Sequence, residues 1–249
     1  MGSKTRQTDA QPSNDNEKYD AERLLDTVVT EMGGARRDGQ SRMTSSIQKA
    51  IRMEKHLAVQ AGTGTGKSMA YLIPAIAHAV ETDTTIVVST ATIALQRQLI
   101  SRDLPCIAEA LKPTLGKINF AILKGRSNYL CLNKLGVEDD SESPLIDPSQ
   151  ISRVGQQVKE LHEWASDTDD GDRDSLESSV SDLAWKQVSV TANECIGASR
   201  CPHGEDCFAE RARDKTRDAH VIVTNHALLA IDALSEGNIL PEHDIVIVD

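Results

Sequence analysis

Gln60-Ala61-Gly62-Thr63-Gly64-Thr65-Gly66-Lys67-Ser68 decides the fold of this 249-residue chain. Closely spaced glycines let successive backbone N–H groups wrap an anion, and the lysine and hydroxyl that follow complete a phosphate-binding loop. In such a loop Lys67 reaches the β- and γ-phosphates of a nucleoside triphosphate, and Ser68 holds Mg²⁺. The flanks agree with that reading. Leu57 to Ala61 predicts a strand entering the loop, and Ser68 to Ile73 predicts the helix leaving it, whose N-terminal dipole adds to the phosphate site. Ala61, Gly62, Thr63, Gly64, Thr65, Gly66, Lys67 and Ser68 are therefore the candidate nucleotide contacts. Ala61 stands where the G-x-x-x-x-G-K-[ST] pattern has its first glycine.

Outward from the loop, apolar runs and helical spacing alternate. Strands are predicted at 57–61, 84–90, 117–123, 219–224 and 244–249, and helices at 22–32, 41–53, 67–80 and 92–111. The last run, Asp-Ile-Val-Ile-Val-Asp, is mostly β-branched, as in a strand covered on both faces. Alternation of this kind implies an α/β fold with a parallel sheet. Pro74, inside the 67–80 helix, predicts a kink or tightened turn. Residues 125–215 break the rhythm and read as a mostly helical insertion carrying Trp164 and Trp185, with exposed loops at 138–148 and 166–175. The expected organisation is a disordered arm over 1–20, the sheet domain over 21–124, the insertion over 125–215, and the sheet domain resumed over 216–249.

Composition narrows the function classes. No run of 18 or more apolar residues occurs, so no membrane-spanning helix is expected, and the polar start lacks a secretory h-region. Five cysteines without a signal segment point to the reducing cytoplasm. The formal charge of −11 resides entirely in residues 138–182, which hold 14 Asp or Glu against three Lys or Arg. The remainder is neutral, and basic residues gather near the cysteines: Lys124 and Arg126 on one side, Arg200, Arg211, Arg213, Lys215 and Arg217 on the other. Such a patch either tracks nucleic-acid phosphates or is an ordinary solvated face.

Cys131, Cys195, Cys201 and Cys207 are separated by 63, five and five residues. Cys106 stands apart and reads as a small buried apolar residue. Zinc sites usually pair cysteines two to four residues apart, whereas iron–sulfur clusters tolerate one distant ligand. Spacing alone leaves the metal open.

The words around these residues resolve a family. The P-loop with Ala61, the LKGRSNYLC stretch ending at Cys131, and CIGASRCPHGEDCFAERAR from Cys195 to Arg213 resemble the iron–sulfur helicases of the XPD/DinG group, in superfamily 2. The resemblance runs from about Arg37 to the last residue. It implies a RecA-like P-loop domain interrupted by a [4Fe–4S] domain ligated by Cys131, Cys195, Cys201 and Cys207. It also implies an ATP-dependent, 5′ to 3′ DNA helicase of repair or replication, acting on single-stranded and forked DNA. By the same resemblance Asp249 is the Mg²⁺-holding acid that opens a DEAH motif. A second RecA-like domain and the glutamate after Asp249 are then expected beyond this chain, which reads as an N-terminal portion.

Other sites follow from the resemblance too. Gln40, in Arg37-Asp38-Gly39-Gln40, resembles the adenine-reading Q motif; otherwise it lies in a polar turn. Ser89 to Leu99 resembles motif Ia, which makes Thr90, Thr92 and Gln96 candidate single-strand contacts; Thr90 or Thr92 alternatively caps the helix. Arg126 and Lys215 are candidate phosphate contacts. Asn225 and His226, in VIVTNHALL, either order the site or cap a helix. The rival function is an ATP-switched DNA-binding repair scaffold that does not unwind.

Overall fold

The computed structural model describes residues 19–62, 64–136, 153–235 and 239–249. Thr63, most of the expected N-terminal arm and the expected loop at 138–148 lie outside the described residues.

Three helices precede the sheet. Asp20 caps the first, α1 (Ala21–Glu31), by accepting from the Glu22 and Arg23 N–H groups. Next come α2 (Asp38–Arg52) and α3 (Lys67–Thr82), which starts at the lysine of the glycine loop. Pro74 lies inside α3 without ending it. Proline leaves the carbonyl four residues earlier without its helical donor. That carbonyl belongs to Ala70, and Thr44 Oγ1 of α2 donates to it at 3.3 Å. A neighbouring helix thus satisfies the acceptor that Pro74 abandons.

Four strands form one parallel sheet: β1 (Ile86–Thr90), β2 (Phe120–Ile122), β3 (Val221–Asn225) and β4 (Ile245–Val248), in the order β2-β3-β1-β4. Successive side chains of a strand face opposite sides, and the cores follow that rule. Ile86, Val88, Val221 and Val223 join Leu25, Leu72, Ile76, Ile107 and Leu111 on one face. Val87 and Ile222 join Leu123, Leu228 and Leu240 on the other. Both faces are covered at β1 and β3, which explains their runs of buried β-branched residues; at the edge strand β4, expected to be covered on both faces, Val246 and Val248 are exposed instead.

One predicted strand is absent. Residues 57–61 belong to no strand among the described residues, and Leu57 and Val59 are exposed. A strand exists through its ladder partners, and the sheet ends at β4, whose one partner is β1. The predicted 92–111 helix is α4 (Ile93–Gln98), a π-helical turn over Leu99–Asp103, and α5 (Leu104–Leu115). Pro105, lacking an N–H, lies just after that widened turn.

Between β2 and β3 lie α6 (Leu132–Gly136), α7 (Arg153–Ala165), α8 (Asp182–Val188) and α9 (Phe208–Asp214). They pack on their own core of Tyr129, Leu130, Leu161, Trp185, Val188 and Phe208. Gly171 is needed here: its φ is +58°, and a Cβ on it would sit 2.4 Å from the Phe208 ring. The last helix, α10 (His226–Leu234), follows β3 directly. No helix of the described residues is long and apolar enough to cross a membrane.

Candidate functional site

The glycine loop is shaped by its backbone. Gly64 and Gly66 have φ of +76° and +80°, in the left-handed region that glycine adopts without a Cβ penalty. Gly66 carries a second constraint. A Cβ there would fall 2.3 Å from Gln40 Nε2, because Gln40 packs directly on the loop and donates to the Gly66 carbonyl at 3.0 Å. Arg37 donates to the Gly64 carbonyl, and Thr65 Oγ1 donates to that of Gly62 at 2.9 Å. Arg37 and Gln40, at the start of α2, thus hold the carbonyls of Gly64 and Gly66 from outside the loop. Gln40 is buried with its amide nitrogen on Gly66, so the adenine contact expected of it would fall to its amide oxygen.

Lys67 and Ser68 open α3, and Asp249 follows the end of β4. The fold brings these distant positions together: Lys67 Nζ lies 3.6 Å from Asp249 Oδ1. The Asp249 N–H donates to the Ser89 carbonyl at 2.9 Å, continuing the β1–β4 ladder past the last strand residue. A residue that sequence reading did not single out joins them. Tyr71 donates its hydroxyl to Asp249 Oδ2 at 3.0 Å. Burial, then the Asp249 charge, raises the Tyr71 phenol well above its ordinary range, so it stays protonated as a donor. Its spacing was a signal: positions three apart share a helix face, and Tyr71 is three residues beyond Ser68. Together these groups place one cation, the Ser68 and Tyr71 hydroxyls and one carboxylate beside the glycine loop, a set suited to phosphate and a hydrated divalent cation.

The candidate single-strand contacts are placed as follows. Thr90 is buried and its hydroxyl donates to the Thr92 carbonyl at 3.2 Å. Thr92 caps α4 by accepting from the Leu95 N–H at 3.3 Å, and Gln96 is buried. Asn225 caps α10 through the Leu228 N–H at 2.7 Å. His226 Nδ1 lies 2.6 Å from Ser89 Oγ, a contact that ties the ends of β1 and β3 beside Asp249. Lys215 is exposed after α9.

The basic residues near the cysteines are less free than the sequence suggests. Lys124 is buried and ion-paired with Asp172 and Asp174. Arg126 is paired with Glu210. Burial alone would lower the Arg126 pKa, but Glu210, aided by nearby Cys195 and Cys207, raises it. The sequence-level patch is therefore partly consumed by internal pairs.

Cys131, Cys195, Cys201 and Cys207 all line one cavity, with Arg126, Tyr129, Leu130, Val190 and Ala198 around them. All five cysteines of the chain are free, and burial pushes the Cys131 thiol up. Among the described residues no three Cys, His, Asp or Glu converge as they would about one metal ion. A single tetrahedral ion, at about 2.3 Å from each sulfur, needs its sulfurs within roughly 4 Å of one another.

Residues 39–166 match the family described as DEAD/DEAH box helicase. The chain is 52% identical over 235 residues to the ATP-dependent helicase DinG of Mycobacterium tuberculosis, covering 91% of this chain and 35% of that protein. It is 41% identical over 218 residues to the ATP-dependent DNA helicase YoaA of Escherichia coli, covering 86% of this chain and 32% of that protein. A further relative, the ATP-dependent DNA helicase DinG of Photobacterium profundum, is 32% identical over 231 residues, covering 86% of this chain and 32% of its own length. The chain thus spans about a third of the length of the curated relatives it matches.

Proposed function

Because this chain belongs to the DEAD/DEAH box helicase family, we propose that it is the ATP-binding portion of a 5′ to 3′ DNA helicase, a RecA-like P-loop domain interrupted by a [4Fe–4S] domain over 125–215. Its substrates are single-stranded and forked DNA in repair or replication. One observation carries the reading: Lys67 and Asp249, from remote parts of the chain, meet 3.6 Å apart beside the glycine loop.

In this reading Lys67 turns from Asp249 to the β- and γ-phosphates, and Asp249 and Ser68 hold Mg²⁺. The loop N–H groups and Lys67 offset the charge that grows on the transferring phosphoryl group. Gln40 couples the base to the loop through Gly66. Strand-end residues between β1 and α4 sit one strand away from Asp249, so a change at the phosphates has a short route to a DNA contact there. Thr92 and Lys215 remain the proposed DNA contacts, while Thr90 and Gln96, buried in the structure, would order that strand end rather than touch DNA. Arg126 is assigned there with its guanidinium shared with Glu210.

The cysteine-lined cavity supports the second half. Four cysteines are the donor set that such a cluster takes, and Cys131, Cys195, Cys201 and Cys207, which line this cavity, would hold it. When bound, such a cluster supplies thiolate bonds that clip the 195–207 loop to Cys131 and fix an otherwise loop-rich region. Free cysteines suit the reducing cytoplasm.

Strand displacement by the full-length protein on a forked duplex tests this function. ATP-dependent unwinding from a 5′ single-stranded tail is expected; ATP-dependent DNA binding without displacement would instead support a repair scaffold.

A further inference from the structure

We propose that Tyr71 is a positioning residue for the Asp249 carboxylate, fixing its Oδ2 and leaving Oδ1 as the oxygen that would serve the metal; this rests on the nucleotide-site reading above. Tyr71 is 4% exposed, and its ring fills the core beside Leu72 and Ile76. A phenylalanine would fill that volume equally well, so the hydroxyl has a separate role. It donates to Asp249 Oδ2 at 3.0 Å, while Lys67 Nζ faces the other oxygen, Oδ1, at 3.6 Å. The two carboxylate oxygens therefore have different partners.

The distinction matters when nucleotide arrives. Lys67 is the partner that phosphates draw away. Asp249 then keeps its backbone tie to Ser89 and its side-chain tie to Tyr71. With Oδ2 held, the carboxylate cannot rotate freely about its last bond, and Oδ1 is the oxygen that would be left to hold a divalent cation. Tyr71 touches neither phosphate nor the reacting atoms in this reading, and its action runs through Asp249.

The test is a double-mutant cycle on full-length protein: wild type, Tyr71→Phe, Asp249→Asn and the double variant. Binding of a fluorescent ATP analogue is followed across a Mg²⁺ titration, with melting curves in parallel. A hydrogen bond to a charged group contributes about 1.5 kcal/mol at the low end, or roughly tenfold. Tyr71→Phe is expected to raise the half-saturating Mg²⁺ concentration about tenfold, leaving affinity in the absence of Mg²⁺ within roughly twofold. In the Asp249→Asn background the same change is expected to shift the Mg²⁺ midpoint by less than about twofold, since coupled sites are non-additive. A Tyr71→Phe titration that superimposes on wild type, or losses that simply add in the double variant, would overturn the role. A wild type without Mg²⁺-dependent nucleotide binding would instead overturn the nucleotide-site reading, and this proposal with it.

Discussion

Replacing Lys124 by methionine removes one charge from a buried three-residue network and leaves the stem. The Lys124 side chain is 4% exposed, and its ammonium donates to Asp172 and, at 2.7 Å, to Asp174. Asp174 in turn lies 3.8 Å from Arg97 on α4, so the network joins the end of β2, the helix after β1 and the segment around Gly171. Without the ammonium, two carboxylates face each other in a site with little water. Breaking a buried pair from one side costs about 3–5 kcal/mol. At about 2–4 °C per kcal/mol for a chain of this size, the melting transition should fall by roughly 6–20 °C. Trp164 and Trp185 both pack in the core of that segment, so tryptophan fluorescence reports it locally.

The pH dependence carries a sign. Burial raises the Asp172 carboxyl above its ordinary range although Lys124 pulls it down. A raised folded-state pKa contributes stability below the unfolded value and loses it as pH rises through the folded value. Removing Lys124 raises Asp172 further, so the Lys124→Met deficit should be largest near neutrality and shrink on acidification. Adding Asp172→Asn and Asp174→Asn should recover much of it, because an uncharged set has no unpaired ion to bury. A deficit below about 1 kcal/mol, or one that is flat with pH and unrelieved by the asparagines, would refute the reasoning.

Other outcomes follow from separate parts of the structure. Anaerobically purified protein should be brown with about four iron and four sulfide per chain, and lose the colour on Ser substitution of Cys131, Cys195, Cys201 or Cys207 but not of Cys106; stoichiometric zinc without sulfide would contradict this. Lys215→Ala should reduce the slope of log affinity against log salt on single-stranded DNA by about 0.7, whereas Arg126→Ala, already neutralised by Glu210, should change it less. Gly171→Ala meets both a positive φ and the Phe208 ring, and should lower stability by at least about 2 kcal/mol in the tryptophan-monitored transition.

What the sequence revealed depended on how local its signal was. The glycine loop is contiguous, and Gly64 and Gly66 take the backbone that glycine alone makes easy. Buried strands such as Val221 to Thr224 read clearly because both faces are covered. Leu57 to Ala61, with Val59 its one β-branched residue, forms no strand here: its local β preference is weak, and pairing depends on neighbours that no local run encodes. Lys124 read as a surface cation because the aspartates that bury it lie far along the chain. Tyr71 was hidden within an apolar helix, where its ring explains its presence and its hydroxyl draws no notice. The meeting of Lys67 with Asp249 followed from family resemblance, and that of the four cysteines around one cavity did as well; spacing alone located neither.

The central claim is that the glycine loop, Lys67 and Asp249 form an ATP-hydrolysing site coupled to DNA. Steady-state ATP hydrolysis by the full-length protein, with and without single-stranded DNA, measures it directly beside a Lys67→Ala variant of the same protein. Hydrolysis is expected to be stimulated by DNA in the wild type and abolished by Lys67→Ala, with the iron–sulfur absorbance of the variant unchanged. Hydrolysis that persists in Lys67→Ala, or that is indifferent to DNA in the wild type, would contradict it.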